Sequence, residues 1–168
     1  MSEKLTEEEI KTLVAAAHER RKKIVDLRRA ALEGHLLMEE ALNALLEACL
    51  FNPELKLNRT NFHLKGELAV SLAAGRGTDE IWAVFWAINQ LRNKMAHNLD
   101  SKEIDEKMAY LRKAYIAVLG PAAAAHAETQ TDKQIVDDAC SVCAGFLGQL
   151  TSEARIRRAI IDKYWESP

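Results

Sequence analysis

Apolar residues recur along most of this chain at intervals of three and four, and no alternation at intervals of two persists beyond four residues. That periodicity predicts helices and no sheet. Thr6-x-x-Glu9 is a capping box that opens a first helix, with Ile10, Leu13, Val14 and Ala17 at helical spacing. The stretch from about Leu27 to Leu50 is apolar on most sides (Leu32, Leu36, Leu37, Ala41, Leu42, Leu45, Leu46, Cys49) and reads as a central helix ended by Asn52-Pro53. A short helix over about 61–74 turns Phe62, Leu68, Ala69 and Leu72 inward, and Gly75-Arg76-Gly77 breaks it. Thr78 then caps a long helix from Asp79 to about His97.

Asp100-x-x-Glu103 is a further capping box before the stripe Ile104, Met108, Leu111, Tyr115, Val118, and Gly120-Pro121 stops that helix. Residues 122–130 read as a partly helical linker. Thr131-x-x-Gln134 restarts a helix with Ile135, Ala139, Val142, Phe146 and Leu150, and a last amphipathic piece holds Ile156, Ile160, Ile161, Tyr164 and Trp165. The expected architecture is an all-α, up-and-down bundle over residues 1–120, the N-terminal helix included. A linker and C-terminal helical extension over 121–168 would pack on it.

Composition strengthens the helical reading. Ala and Leu supply 47 of the 168 residues, against 24 for Val, Ile and Thr together, and β-branched side chains are the ones that lose freedom in a helix. The formal charge of -2 excludes a uniformly basic nucleic-acid binder but leaves room for local patches. Residues 18–29 carry a net +4 through Arg20 to Lys23 and Arg28-Arg29, and Arg76 and Arg155, Arg157 and Arg158 are further cations; each cluster is either a phosphate contact or a solvated helix face. The acidic first residues lack an apolar signal core and no stretch approaches 18 apolar residues, so the expectation is a cytoplasmic protein with no membrane contact.

Three cysteines, Cys49, Cys140 and Cys143, suit reduced thiols. Cys140-x-x-Cys143 reads as two core cysteines or as a redox pair or half a zinc site, but no second Cys pair and no His at ligand spacing accompanies it. No metal and no cofactor are expected, and Gly75-Arg76-Gly77 is too short for a phosphate-binding loop.

The segment Asn89-Gln90-Leu91-Arg92-Asn93-Lys94-Met95-Ala96-His97-Asn98 carries the candidate chemistry. Ile81, Phe85, Ile88 and Met95 share a face, Trp82 and Trp86 adjoin it, and Arg92 projects on the apolar side. Burying an arginine there costs free energy unless it is paired. One reading pairs it with Glu39 or Glu40 of the central helix and leaves His97 as a helix-terminal residue favoured by the dipole. Asn93 and His97, four residues apart, are within hydrogen-bonding reach of each other. Arg92 and His97 stand about 140° apart on a straight helix, so both meet one ligand only if the helix ends near Ala96 or a second copy supplies the missing group. His35 and Glu39 are spaced to pair, Trp82 and Trp86 suit a core or a dimer interface better than base stacking, and Lys94 is a phosphate contact or simply solvated.

Leu91-Arg92-Asn93-Lys94-Met95-Ala96-His97, at the end of a long helix behind an apolar helix with Glu39-Glu40, resembles the signature of the HEPN superfamily. The arrangement of Phe62 to Lys65, the helix breaker and the Trp-rich helix also resembles its mannitol operon repressor-like branch. The likeness spans about residues 25–120. It implies a metal-independent endoribonuclease in which His97 acts as general acid or base, Arg92 holds the scissile phosphate and Asn93 orients one of them. It further implies a homodimer with a composite site, RNA or a nucleotide as ligand, and a cognate antitoxin or regulatory protein as partner. The alternative that the resemblance leaves is a non-catalytic transcriptional regulator or interaction module.

Overall fold

The structure, a computed structural model, describes residues 6–50, 57–97 and 101–165. Six α-helices run in order: α1 (Glu7–Cys49), α2 (Phe62–Leu72), α3 (Ile81–His97), α4 (Ser101–Ala117), α5 (Pro121–Thr129) and α6 (Asp132–Trp165), with a 3-10 turn at Leu57–Arg59. No strand is present among the described residues, so the chain is an all-α bundle.

Local chemistry sets the helix starts. At α1 the Thr6 hydroxyl accepts from the Glu9 N–H, and the Glu9 carboxylate accepts from the Thr6 N–H at 2.7 Å; three acidic residues then sit in the positive first turn. Asn61 caps α2 through the Leu64 N–H. Pro121 occupies the first turn of α5, where no N–H is needed. Thr131 and Gln134 form the expected reciprocal cap of α6. The Asp100 box and the Asn52-Pro53 stop lie outside the described residues.

Boundaries differ from the sequence reading in four places. The two helices expected over 6–50 are one 43-residue helix, about 65 Å long at 1.5 Å per residue, because nothing between Glu7 and Cys49 breaks the backbone. α3 begins at Ile81, not at Asp79: Thr78 sits in a turn, and Trp82 and Ala83 donate to the carbonyls of Asp79 and Glu80. The expected linker contains α5, and the last amphipathic piece continues α6 without interruption.

α1 and α6 form the largest interface and run parallel: Lys23 meets Asp132, Gly34 lies against Cys140, and Arg158 donates to the carbonyl of Leu50. α3 packs antiparallel to α4, as the Lys94–Glu103 and Gln90–Lys107 contacts show. Between these pairs lies one buried cluster running from Leu27 to Ala154. Its aromatic centre is Phe62, Phe85 and Trp82, with Phe62 and Phe85 stacked at 4.9 Å. Cys140 and Cys143 are free and buried in it; burial pushes the Cys140 thiol up to about 12 and raises Cys143 as well, so both stay protonated core groups. No helix of the described residues is long and apolar enough to cross a membrane.

Candidate functional site

α3 turns Leu91, Ile88 and Met95 into the core, which places Arg92 at the edge of the apolar face. The guanidinium is half-buried. Its Nη1 donates to Asn93 Oδ1 at 3.1 Å, and Asn93 Nδ2 donates to Asn89 Oδ1 at 3.4 Å. Asn89, 8% exposed, shares a hydrogen bond with the buried His35 of α1. Arg92, Asn93, Asn89 and His35 thus form one polar thread running from the surface of α3 into the α1–α3 seam. The His35 ring lies 4.0 Å from that of Phe62. Burial holds its pKa below the usual value and the Arg92 charge adds to that, while Glu39 and Asn89 work in the opposite direction.

The pairing of Arg92 with Glu39 or Glu40 does not form. Glu39 is taken by Lys65, which arrives from α2 with its Nζ 2.7 Å from Glu39 Oε1 and its side chain 1% exposed. Arg92 Nε is buried with no partner among the described residues. His35 and Glu39, spaced to pair, are instead engaged separately by Asn89 and Lys65. Lys94 of α3 closes an ion pair with Glu103 of α4. His97 is the last residue of α3; its side chain lies outside the described residues. Arg92 and Asn93 are therefore in contact, and Asn93 spends its amide on Arg92 and Asn89.

A groove of about 620 Å³ runs beside this thread, between α2 and α3, lined by His63, Glu67, Ser71, Trp86, Asn89 and Gln90. Gly66 makes it: a Cβ there would lie 2.5 Å from Trp86 Cη2 and 2.8 Å from Phe85 Cε1, so only glycine lets the indole lie against α2. The His63 ring sits 4.9 Å from that of Trp86, tilted by 58°, with Glu67 3.4 Å from His63 Nε2. Two aromatic rings, a carboxylate and two amides suit a planar, hydrogen-bonding ligand better than a phosphate, since no cation lines the groove. The sequence assigned His63 no role and Trp86 a core or a dimer interface, and Trp86 does pack against the core while lining the groove. The available signal was the His63-x-x-x-Glu67 spacing, which sets both on one face of α2.

No group of three or more His, Cys, Asp or Glu side chains able to hold a metal occurs among the described residues. No family model, curated protein or solved structure matches the chain.

Proposed function

We propose that the chain is a HEPN-like, metal-independent endoribonuclease, with Arg92 and His97 as its reacting pair and a homodimer completing the site. The observation that carries this reading is the state of Arg92. A buried guanidinium N–H without a partner costs about 1–3 kcal/mol, a cost that a purely structural arginine avoids by closing on a carboxylate. Here Glu39 is held by Lys65, and no carboxylate among the described residues closes on Arg92 Nε. The fork is instead held by a neutral amide, Asn93, at the end of the helix that carries His97. That keeps its charge for an anionic ligand.

The reaction follows from those two groups. His97 takes the proton of a ribose 2′-OH, the 2′-oxygen bonds to phosphorus, and the bond from phosphorus to the 5′-oxygen breaks. The protonated His97 gives that proton to the leaving oxygen, which completes the step with a 2′,3′-cyclic phosphate, a free 5′-hydroxyl and His97 restored. Arg92 binds the phosphoryl oxygens as their charge grows. The groove at Trp86 and His63 offers a seat for a base beside the cleaved bond, with stacking and amide hydrogen bonds as the contacts.

The test is cleavage of mixed RNAs in EDTA, with product ends analysed. His97→Ala and Arg92→Ala are each expected to slow cleavage by about 10²-fold or more while leaving the circular dichroism spectrum unchanged. Intact RNA, or cleavage indifferent to His97, rejects the reading. One observation favours a second reading, that of a non-catalytic regulator or interaction module: exposed apolar residues on the N-terminal part of α1. In that case the same substitutions shift association and not cleavage.

A further inference from the structure

α1 outruns the bundle. α6 begins level with Lys23, and Glu19, Arg20 and Lys22 still border α6 or α4; the turns of α1 before them, from Glu7 to His18, project as an arm, and every residue from Glu7 to Lys22 is exposed. Ile10, Leu13 and Val14 are 49%, 56% and 51% exposed. At about 100° per residue they fall on one face together with Ala17, an apolar stripe that the described residues leave uncovered. Arg21 lies at the end of the same face. Lys23, on the opposite side, turns back to Asp132 and fixes the root of the arm to the bundle.

Lys11 pairs with Glu7 at 2.8 Å and Glu19 precedes the arginines, yet the net charges of the arm are segregated. Glu7, Glu8 and Glu9 occupy its first turn, and Arg20, Arg21, Lys22 and Lys23 its root. A second copy laid parallel would set acid on acid and base on base. Laid antiparallel, with a two-fold axis between Leu13 and Val14, it brings Glu7 of one copy level with Arg20 and Arg21 of the other. Ile10 then meets Ala17 of the second copy, and Leu13 meets its Val14. Only this orientation satisfies the stripe and the charges together. We infer that the α1 arm is a self-complementary dimerisation element whose occupant is the arm of a second copy of this chain, paired antiparallel.

The inference goes beyond the proposed activity and holds whether or not the chain cuts RNA. Arms of this length bury on the order of 1,000 Å², below the range of stable standard interfaces, so the dimer should dissociate in the micromolar range. The arm leaves the bundle where the first turn of α4 begins, as the cavity shared by Arg20, Lys23, Ile24, Leu27, Ile104 and Asp105 shows. That is the end of the molecule at which α3 also finishes.

The test uses the full chain with Cys49, which is only half-buried, replaced by Ala, one cysteine added on the arm and a short thiol cross-linker; the Cys49→Ala protein, whose Cys140 and Cys143 are buried, is the control. Val14→Cys should cross-link to its own copy, and Ile10→Cys should not, because the two-fold separates those positions by about 10–12 Å along the axis at 1.5 Å per residue. Cross-linking at both sites means parallel arms, and at neither means unpaired arms; either overturns the inference. Sedimentation equilibrium supplies the second arm of the test. Glu7→Arg and Arg21→Glu should each weaken the dimer at least several-fold, and the two changes in one chain should restore it. Single reversals without effect, or a double variant weaker than both, reject the antiparallel pairing.

Discussion

At the scale of single residues, the decisive event in the α1–α2–α3 seam is which cation reaches Glu39. Lys65 does, with its side chain sealed beneath the helices, while the Arg92 fork closes on Asn93. An ammonium that is 1% exposed depends on its counter-charge. Glu39→Ala leaves it buried and unpaired, and should cost about 3 kcal/mol. Lys65→Met should cost less, because Glu39 keeps a third of its side-chain surface in contact with water and can be hydrated. Urea denaturation of the two variants measures the difference. Equal losses would mean that packing, not charge, sets the value of this contact. The contest was invisible in the chain alone: Glu39 and Lys65 are 26 residues apart, and a helical spacing rule sees neighbours only within a turn.

At the scale of elements, helix starts marked by a reciprocal Thr cap were legible, since such a cap is a local bond between residues three apart. Thr6–Glu9 and Thr131–Gln134 are the instances, whereas Thr78, with no such partner, marked a turn and not the start of α3. Where helices fuse was not legible, because the change from a basic to an apolar surface near Leu27 mimics a boundary. It marks only where α1 enters the bundle. The same distinction explains Gly34, a helix-weakening residue in the middle of α1. A Cβ there would come within 2.8 Å of Cys140 Cβ and closer still to its sulfur, so the glycine sets how nearly α6 can approach. Gly34→Ala therefore gains about 1 kcal/mol of helix propensity and loses about 1–3 kcal/mol to overpacking. The expected net result is a lower melting temperature, and Cys140→Ser in the same chain should recover little, because the Cβ clash remains. Thermal unfolding followed at 222 nm decides it; a melting temperature raised by Gly34→Ala would show that the helices simply move apart.

At the scale of the whole molecule, three elements meet at Asp132. Its carboxylate accepts from Lys23 of α1 and, at 2.9 Å, from Arg112 of α4, which also donates to the carbonyls of Ala127 and Gln130 that end α5. The candidate site has the same character: Arg92-Asn93 was legible as a motif and Asn89 and Trp86 share its helix, but His35 and His63 join it only through the crossing of α1, α2 and α3. Long-range junctions of this kind are where stability responds to pH. Burial opposes the charge on Asp132, yet Lys23 and Arg112 outweigh it and hold its pKa below the usual carboxylate value. A carboxylate lowered on folding contributes stability that is fully present above its unfolded pKa of about 3.9 and is lost as pH falls through the lower folded value. Asp132→Asn should therefore melt below the parent at pH 7, by a loss on the order of 1–2 kcal/mol. On acidification from about pH 5 to pH 2 the gap should close, because the parent then protonates the same group. Melting curves across that range measure it. A gap that stays constant would mean that Asp132 acts through shape and hydrogen bonding, and that the junction of α1, α4 and α6 does not depend on its charge.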